Sequence, residues 1–289
     1  MKLTVKENTT LMEFILTAMH GISRTSAKQL LSNKFVYVNG KPTSKFDFPL
    51  SPGTLVEVNK EQKAKNPFNH LIEIIYEDDY LIVADKKEGL LSVAADTKTP
   101  QITAHSILNG YVQMNPGYVK RNEFARDPRI FIVHRLDRET SGLMVFAKDE
   151  HTKQQLQQNW NEVVTDRRYI ALVEGEINRE KGRIVSWLTD NSAFITYSST
   201  VDNGGQKAIT NYTTLENHNG YAMVELILET GRKNQIRVHM QQIKHSIVGD
   251  TKYGGQKSDR LYLHAFKLCF LHPVTGEQMN FTRKPPFEL

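Results

Sequence analysis

The strongest constraint on the fold is a series of short apolar runs set between polar loops. Tyr80–Ala84, Ile130–Val133 and Leu143–Ala147 are such runs. Their length and polar borders suit buried strands. Tyr169–Val173 and Tyr221–Glu229 read the same way, the second bounded by Asn219-Gly220 and Gly231. His151–Val164 holds no Gly or Pro, places Leu156, Trp160 and Val163 or Val164 on one stripe, and follows Asp149 as a helix cap. Gln235–Lys244 reads as a helix after the glycine. The 106–129 stretch, with Asn115-Pro116-Gly117 and Lys120-Arg121, reads as an irregular excursion. Many strands with few helices give an α/β or α+β domain and leave the strand order open.

The first part of the chain differs in charge. Residues 1–65 carry 10 Lys and Arg against 5 Asp and Glu, and the rest carries 27 of each. A basic piece on a neutral one suggests an anchor for a polyanion, RNA first, although a solubilising face has the same composition. Residues 59–70, polar and containing Pro67, read as a linker. Before it, Thr10 and Glu13 form a capping-box pattern ahead of Leu11, Phe14, Ile15 and Ala18. Ser23 precedes a second helix, Arg24–Ser32, with Ala27, Leu30 and Leu31 inward. Phe35–Val38 and Leu55–Val58 read as strands, and Asn39-Gly40 as a turn.

Composition excludes other classes. The single cysteine, Cys269, leaves no disulfide framework and no cysteine-based metal cluster. No run approaches the roughly 18 apolar residues of a membrane span. The start lacks the layout of a signal peptide, so the cytoplasm is the expected location. GxGxxG, GxxxxGK[ST] and GxSxG are absent.

Polar patches between the strands could carry chemistry. His134-Arg-Leu-Asp-Arg-Glu-Thr-Ser-Gly142 lies between two apolar runs, with Asp137 flanked by Arg135 and Arg138. A reactive loop and a salt-bridged surface loop both fit it. Arg167-Arg168-Tyr169 opens a strand, and its tyrosine reads as core or as a stacking platform. Thr230–His239 sets Arg232, Lys233, Asn234 and Arg237 after a glycine, as an anion site or as an ordinary helix start. His239, His245, Asp250 and His264 match no metal-ligand spacing.

In order, HRLDRETSG, RRYIALVEG, LILETGRKNQIRVHM, GDTKYGG and LYLHAFKLCFLHP resemble the RluA-type family of RNA pseudouridine synthases over residues 70–289. SRTSAKQLLSNKFVYVNGKPTSKFDFPLSPGTLVEV resembles an S4-type RNA-binding module, with Arg24 and Lys28 on its phosphate-facing helix. The resemblance implies an α+β fold: a catalytic domain with a mixed, mainly antiparallel central sheet, plus a small N-terminal S4-like α/β module. It also implies the division 1–60 module, 61–70 linker and 71–289 catalytic domain.

The resemblance implies residue roles too. Asp137 is the catalytic aspartate, Tyr169 packs on the target base, and Arg237 pairs with the aspartate. Arg135 helps hold the flipped-out nucleotide, and Arg232 and Asn234 line the RNA path. One position departs: relatives read TGRxHQIRxH, and Asn234 stands where that histidine would be. Asn keeps a short polar side chain but bears no proton charge, so the expectation is intact catalysis with an altered local contact.

The implied reaction turns uridine into pseudouridine in structured RNA, with ribosomal RNA of the large subunit favoured over transfer RNA. The base must leave its stack and be held in an enclosed pocket. No cofactor, metal, nucleotide or membrane is expected as a partner, and a monomer is the default state. The rivals are a catalytically inactive RNA-binding or ribosome-assembly factor, and an RNA phosphodiesterase using the histidines.

Overall fold

The computed structural model describes residues 2–19, 22–32, 36–58, 70–94, 101–114, 124 and 128–289. The chain divides into two compact units, one of residues 1–69 with 110–116 and one of 70–109 with 117–289. Phe35, 61–69 of the expected linker, Asn115-Pro116-Gly117 and Lys120-Arg121 lie outside the described residues.

The first unit opens with β1 (Lys2–Thr4), β2 (Thr9–Thr10) and α1 (Leu11–Ala18). Thr10 accepts from the Glu13 N–H while the Glu13 carboxylate accepts from the Thr10 N–H, which fixes the start of α1. The helix buries Leu11, Met12 and Ile15. α2 (Arg24–Ser32) buries Ala27, Leu30 and Leu31 and leaves Arg24 and Lys28 exposed. β3 (Val36–Val38), β4 (Lys41–Pro42), β5 (Pro49–Leu50) and β6 (Leu55–Val58) follow. Asn39 and Gly40, both left-handed at φ 49° and 78°, close the β3–β4 hairpin. The strands order as β1-β6-β3-β4, with β2 paired to β5.

The second unit is built on an 11-stranded sheet. Its elements are β7 (Ile72–Glu77), β8 (Leu81–Lys86), residues 104–109 of α3 (Ala104–Gln113), β9 (Phe131–Ile132), β10 (Ser141–Ala147), α4 (Glu150–Gln158) and α5 (Trp160–Val163). Then come β11 (Val164–Glu174), β12 (Lys181–Asp190), β13 (Thr196–Ser199), β14 (Gln206–His218), β15 (Tyr221–Leu228), α6 (Gln235–Gln242), β16 (Leu263–Leu271) and β17 (Gln278–Thr282). The order is β13-β12-β14-β15-β11-β16-β10-β8-β7, with β17 on β16 and β9 on β10. Pairings are antiparallel except β10 with β16. The architecture is α+β, with a mixed, mainly antiparallel central sheet and small N-terminal sheets. β8 and β10 are buried along their whole length, as their apolar runs require.

Two local expectations are corrected. Part of 106–129 is helical: α3 starts at Ala104 and buries Ala104, Ile107, Leu108 and Val112 on one stripe. Thr103 and Ser106 cap it by exchanging side-chain and backbone bonds, and Gly110 inside it hides the period. The 151–164 stretch is two helices, since α4 ends at Asn159 and the short α5 hands Val164 to β11. Asp149 caps α4 by accepting from the Thr152 N–H at 2.7 Å.

Candidate active site

The HRLD loop runs from β9 into β10 and is fixed at both ends. At its start, His134 Nε2 accepts the Val145 N–H at 3.1 Å, so the imidazole serves as a backbone acceptor. Burial, with Arg167 nearby, pushes its pKa down to about 3 and keeps it neutral. At the far end, Gly142 has φ 120° and pairs with Ala265 across the parallel strands. A β-carbon there would lie 2.4 Å from the Ala265 carbonyl oxygen, so the Ser-Gly step is set by backbone contact.

A second segment, Lys86–Ser92, straps the loop from below. Ser92 Oγ donates to the Leu136 carbonyl at 2.7 Å and accepts the Leu136 N–H at 3.1 Å. The Gly89 N–H donates to the Arg138 carbonyl at 2.9 Å, and Arg138 Nε returns a bond to the Gly89 carbonyl at 3.1 Å. Lys86, fully buried, spends its ammonium on the carbonyls of Lys87, Leu90 and Arg138 at 3.0, 2.9 and 3.2 Å. Burial pulls its pKa down to about 8, against the opposing pull of Asp137, Glu139, Glu88 and Asp85. Sequence reading passed over this strap, because DKKEGLLS looks like a solvated turn. A lysine continuing an apolar strand just before a glycine turn was the available signal.

Tyr169 comes from β11, a strand paired on both sides and nearly closed to solvent there. The β11–β16 register slips at this point: Arg168 faces Lys267 and Tyr169 faces Ala265, leaving Phe266 as an extra residue on β16. Bulges of this kind re-aim a side chain beside active sites. Burial pushes the Tyr169 phenol up, so it stays protonated at neutral pH.

Arg237 is carried by the first turn of α6. Asn234, ahead of that turn, has φ 53°, a left-handed conformation in which Asn and His are enriched. Asn234 Nδ2 donates to the Tyr253 hydroxyl at 3.0 Å, and its Oδ1 accepts from Arg237 Nη1 at 3.4 Å. Gln235 stitches the preceding loop together. Its Oε1 accepts from the Thr230 hydroxyl and the Arg232 N–H, and its Nε2 reaches the Ile209 carbonyl and the Thr210 hydroxyl. The first turn of the helix thus divides its roles: Gln235 holds the loop and Arg237 faces the cleft.

Arg237 binds Asp250 through two bonds of 2.7 Å, Nε to Oδ2 and Nη2 to Oδ1. Asp250 is itself 1 % exposed. The remaining nitrogen, Nη1, stands 3.8 Å from Asp137 Oδ2 and 3.6 Å from Glu139 Oε2, ion-pair rather than hydrogen-bond distances. Asp137 therefore meets a cation already oriented by another carboxylate. Burial pushes the Asp137 pKa up. Arg237 opposes this, Glu139 adds to it, and Arg135 and Lys86 oppose it.

Asp137, Tyr169 and Arg237 line one small cavity of about 60 Å³, with Arg135, Arg232 and Asn234 also on its wall. Arg135 and Asp137 are shared with two larger cavities of about 480 and 930 Å³. Arg24 and Lys28 belong to the other unit, on the exposed face of α2. The remaining histidines sit in separate networks. His239 bridges the Thr210 and Ser186 hydroxyls at 2.7 and 2.8 Å, and burial lowers its pKa to about 4. His264 meets Ser141 Oγ at 2.9 Å, and His245 meets the Glu174 carbonyl.

Comparison with known proteins gives the same reading. The family model described as RNA pseudouridylate synthase matches residues 80–242, more than half of the chain. An uncharacterized RNA pseudouridine synthase of Bacillus subtilis (strain 168) is 33% identical, covering 96% of this chain and 90% of its own. Ribosomal large subunit pseudouridine synthase D of Buchnera aphidicola subsp. Baizongia pistaciae (strain Bp) is 31% identical, covering 92% and 86%. Among solved structures, human RNA pseudouridylate synthase domain containing 1 shares the fold. Its TM-score is 0.58 at 22% identity, over 75% of this chain and 84% of that one. The chain therefore belongs to the RNA pseudouridylate synthase family and is an RNA-modifying isomerase.

Proposed function

We propose that Asp137 carries the isomerisation and that the substrate is large-subunit ribosomal RNA. The convergence of Asp137, Tyr169 and Arg237 on one small cavity is the observation that carries the catalytic part. The reaction breaks the N1–C1′ bond, turns the base in place and joins C5 to C1′. The C5 proton leaves to solvent and N1 gains one. Asp137 is the carboxylate within reach, its pKa raised by burial with Arg237 opposing that rise. Tyr169 replaces the stacking that the extruded base loses, and the cavity walls hold the detached uracil beside the sugar. Arg135, exposed on the cavity wall, supports the extruded nucleotide, while Arg232 and Asn234 line its path.

Residues 1–60 act as an S4-type module in this reading. Arg24 and Lys28, four apart and exposed on α2, meet phosphates and add affinity without choosing the uridine. Ribosomal RNA is favoured by the relatives that bear the name ribosomal large subunit pseudouridine synthase D.

The test is pseudouridine mapping of total RNA from a strain lacking the gene. Sites that vanish from large-subunit ribosomal RNA, and return with the wild-type gene but not with Asp137→Asn, match the proposal. Losses confined to transfer RNA overturn the substrate. Recovery with Asp137→Asn overturns the role of the aspartate.

A further inference from the structure

The cavity of about 930 Å³ adjoins the catalytic one through Arg135, Asp137, Leu228 and Arg232 but takes in a different wall, including Trp160 and Arg167. Its charges are unevenly paired. Asp166 is tied to Arg168 and Lys267 at 2.8 Å, and Glu229 to Arg183 at 2.9 Å; none of these cations lines the cavity. Among the cations that do line it, Lys233 is paired with Asp190 at 2.8 Å. The Arg232 guanidinium bonds only a carbonyl, that of Lys207, and the Arg135 and Arg167 side chains have no hydrogen-bond or ion-pair partner among the described residues. The cavity thus neutralises its own acids from outside and leaves guanidinium groups unanswered within.

Arg167 is the most constrained of these groups. It precedes Tyr169 by two residues on β11, so both side chains lie on one face of the sheet. Its guanidinium lies 5.7 Å from the centre of the Trp160 ring. On another side it packs against Gly231, where an added β-carbon would come within 3.2 Å of Nη2. Aromatic contact and a bare backbone hold the planar group in place without using its donors. A half-buried, fixed, unpaired guanidinium fits a phosphate better than any neutral group.

We propose that Arg167 binds a backbone phosphate of a nucleotide flanking the target uridine, so that the RNA strand passes through the Trp160 cavity as it enters the site. This rests on the pseudouridine synthase reading, because the cavity is continuous with Asp137. Arg167 is then a substrate-binding residue that fixes register rather than a group that takes part in bond exchange.

The test uses tritium release from total RNA labelled at C5 of uridine, prepared from a strain lacking the gene. The ratio kcat/KM is followed between about 50 and 200 mM salt for wild type, Arg167→Gln and Arg167→Lys. Loss of one phosphate contact flattens the log–log salt slope by about one unit and raises KM about tenfold in Arg167→Gln. Arg167→Lys keeps the charge and recovers most of the slope. Gly231→Ala crowds the guanidinium from the opposite side, moves the slope in the same direction by less, and carries the test if Arg167→Gln does not fold. A wild-type slope and KM in both Arg167→Gln and Gly231→Ala overturn the proposal alone. No release by the wild-type chain overturns the reading of the function and this proposal with it.

Discussion

Arg237 gives two of its nitrogens to Asp250, at 2.7 Å each, and only the third faces Asp137, at 3.8 Å. Asp137, the proposed catalytic carboxylate, therefore meets a guanidinium whose plane is set by a residue it does not touch. Asp250→Asn removes that clamp and leaves a buried cation short of one charge. Breaking a buried pair costs about 3–5 kcal/mol of stability. The expected result is a lower urea midpoint together with a fall in kcat of about one to two orders of magnitude, roughly the loss of 1.4–2.8 kcal/mol of transition-state stabilisation. Full kcat in folded Asp250→Asn contradicts the clamp.

The acid side of the pH profile reports Asp137. Burial raises its pKa and the proposed mechanism uses the ionised form, so kcat/KM falls with falling pH through a value above the ordinary aspartate range. Glu139, exposed and anionic, adds to that rise. Glu139→Gln removes one source of the rise, and the acid limb moves to lower pH. A limb that moves up, or stays in place, contradicts the assignment.

Lys86 governs the alkaline side. Its ammonium offers three N–H donors to the Lys87, Leu90 and Arg138 carbonyls. A neutral amine offers two donors and turns a lone pair toward the remaining oxygen. The strap under Asp137 therefore loosens as pH rises through about 8, and kcat declines there. Between about 8 and the ordinary lysine value of 10.5, the folded chain binds fewer protons at this group than the unfolded chain. Its contribution to stability thus rises with pH across that window, while activity falls. Lys86→Met shows low activity, by about tenfold or more, with no limb near pH 8. A limb near pH 8 that persists in Lys86→Met places its origin elsewhere.

Asn234 tolerates histidine. Its left-handed backbone suits either residue, and its contacts are neutral hydrogen bonds to Tyr253 and Arg237. Asn234→His keeps kcat within about threefold, a difference of roughly 0.7 kcal/mol. Asn234→Val is strained at φ 53° and loses about 1–3 kcal/mol of stability. A large gain in kcat on introducing His would mean that the native Asn impairs the chemistry.

The legible parts of the molecule are those written locally. The apolar runs of β8 and β10, the capping box of α1, the Asn39-Gly40 turn and the HRLD loop each carry their signal within a few residues. The missed parts depend on residues far apart in sequence. Lys86 looks solvated until β10 packs beside β8 and the Arg138 carbonyl arrives from 52 residues away. Asp250 stood in a recognised Gly-Asp patch, but its role exists only because α6 brings Arg237 to it. The β12 and β14 strands alternate buried with half-exposed positions and seat Ser186 and Thr210 among the buried ones, so they lack the continuous apolar runs that marked the central strands.

The central claim is that Asp137 performs the isomerisation, and tritium release from C5-labelled uridine tests it most directly. Purified wild-type and Asp137→Asn chains are added, without metal, to labelled total RNA from a strain lacking the gene. The account predicts release by the wild type, none by Asp137→Asn, and RNA of unchanged length in both. Equal release by Asp137→Asn, or tight binding of competent RNA by the wild type with no release, contradicts it.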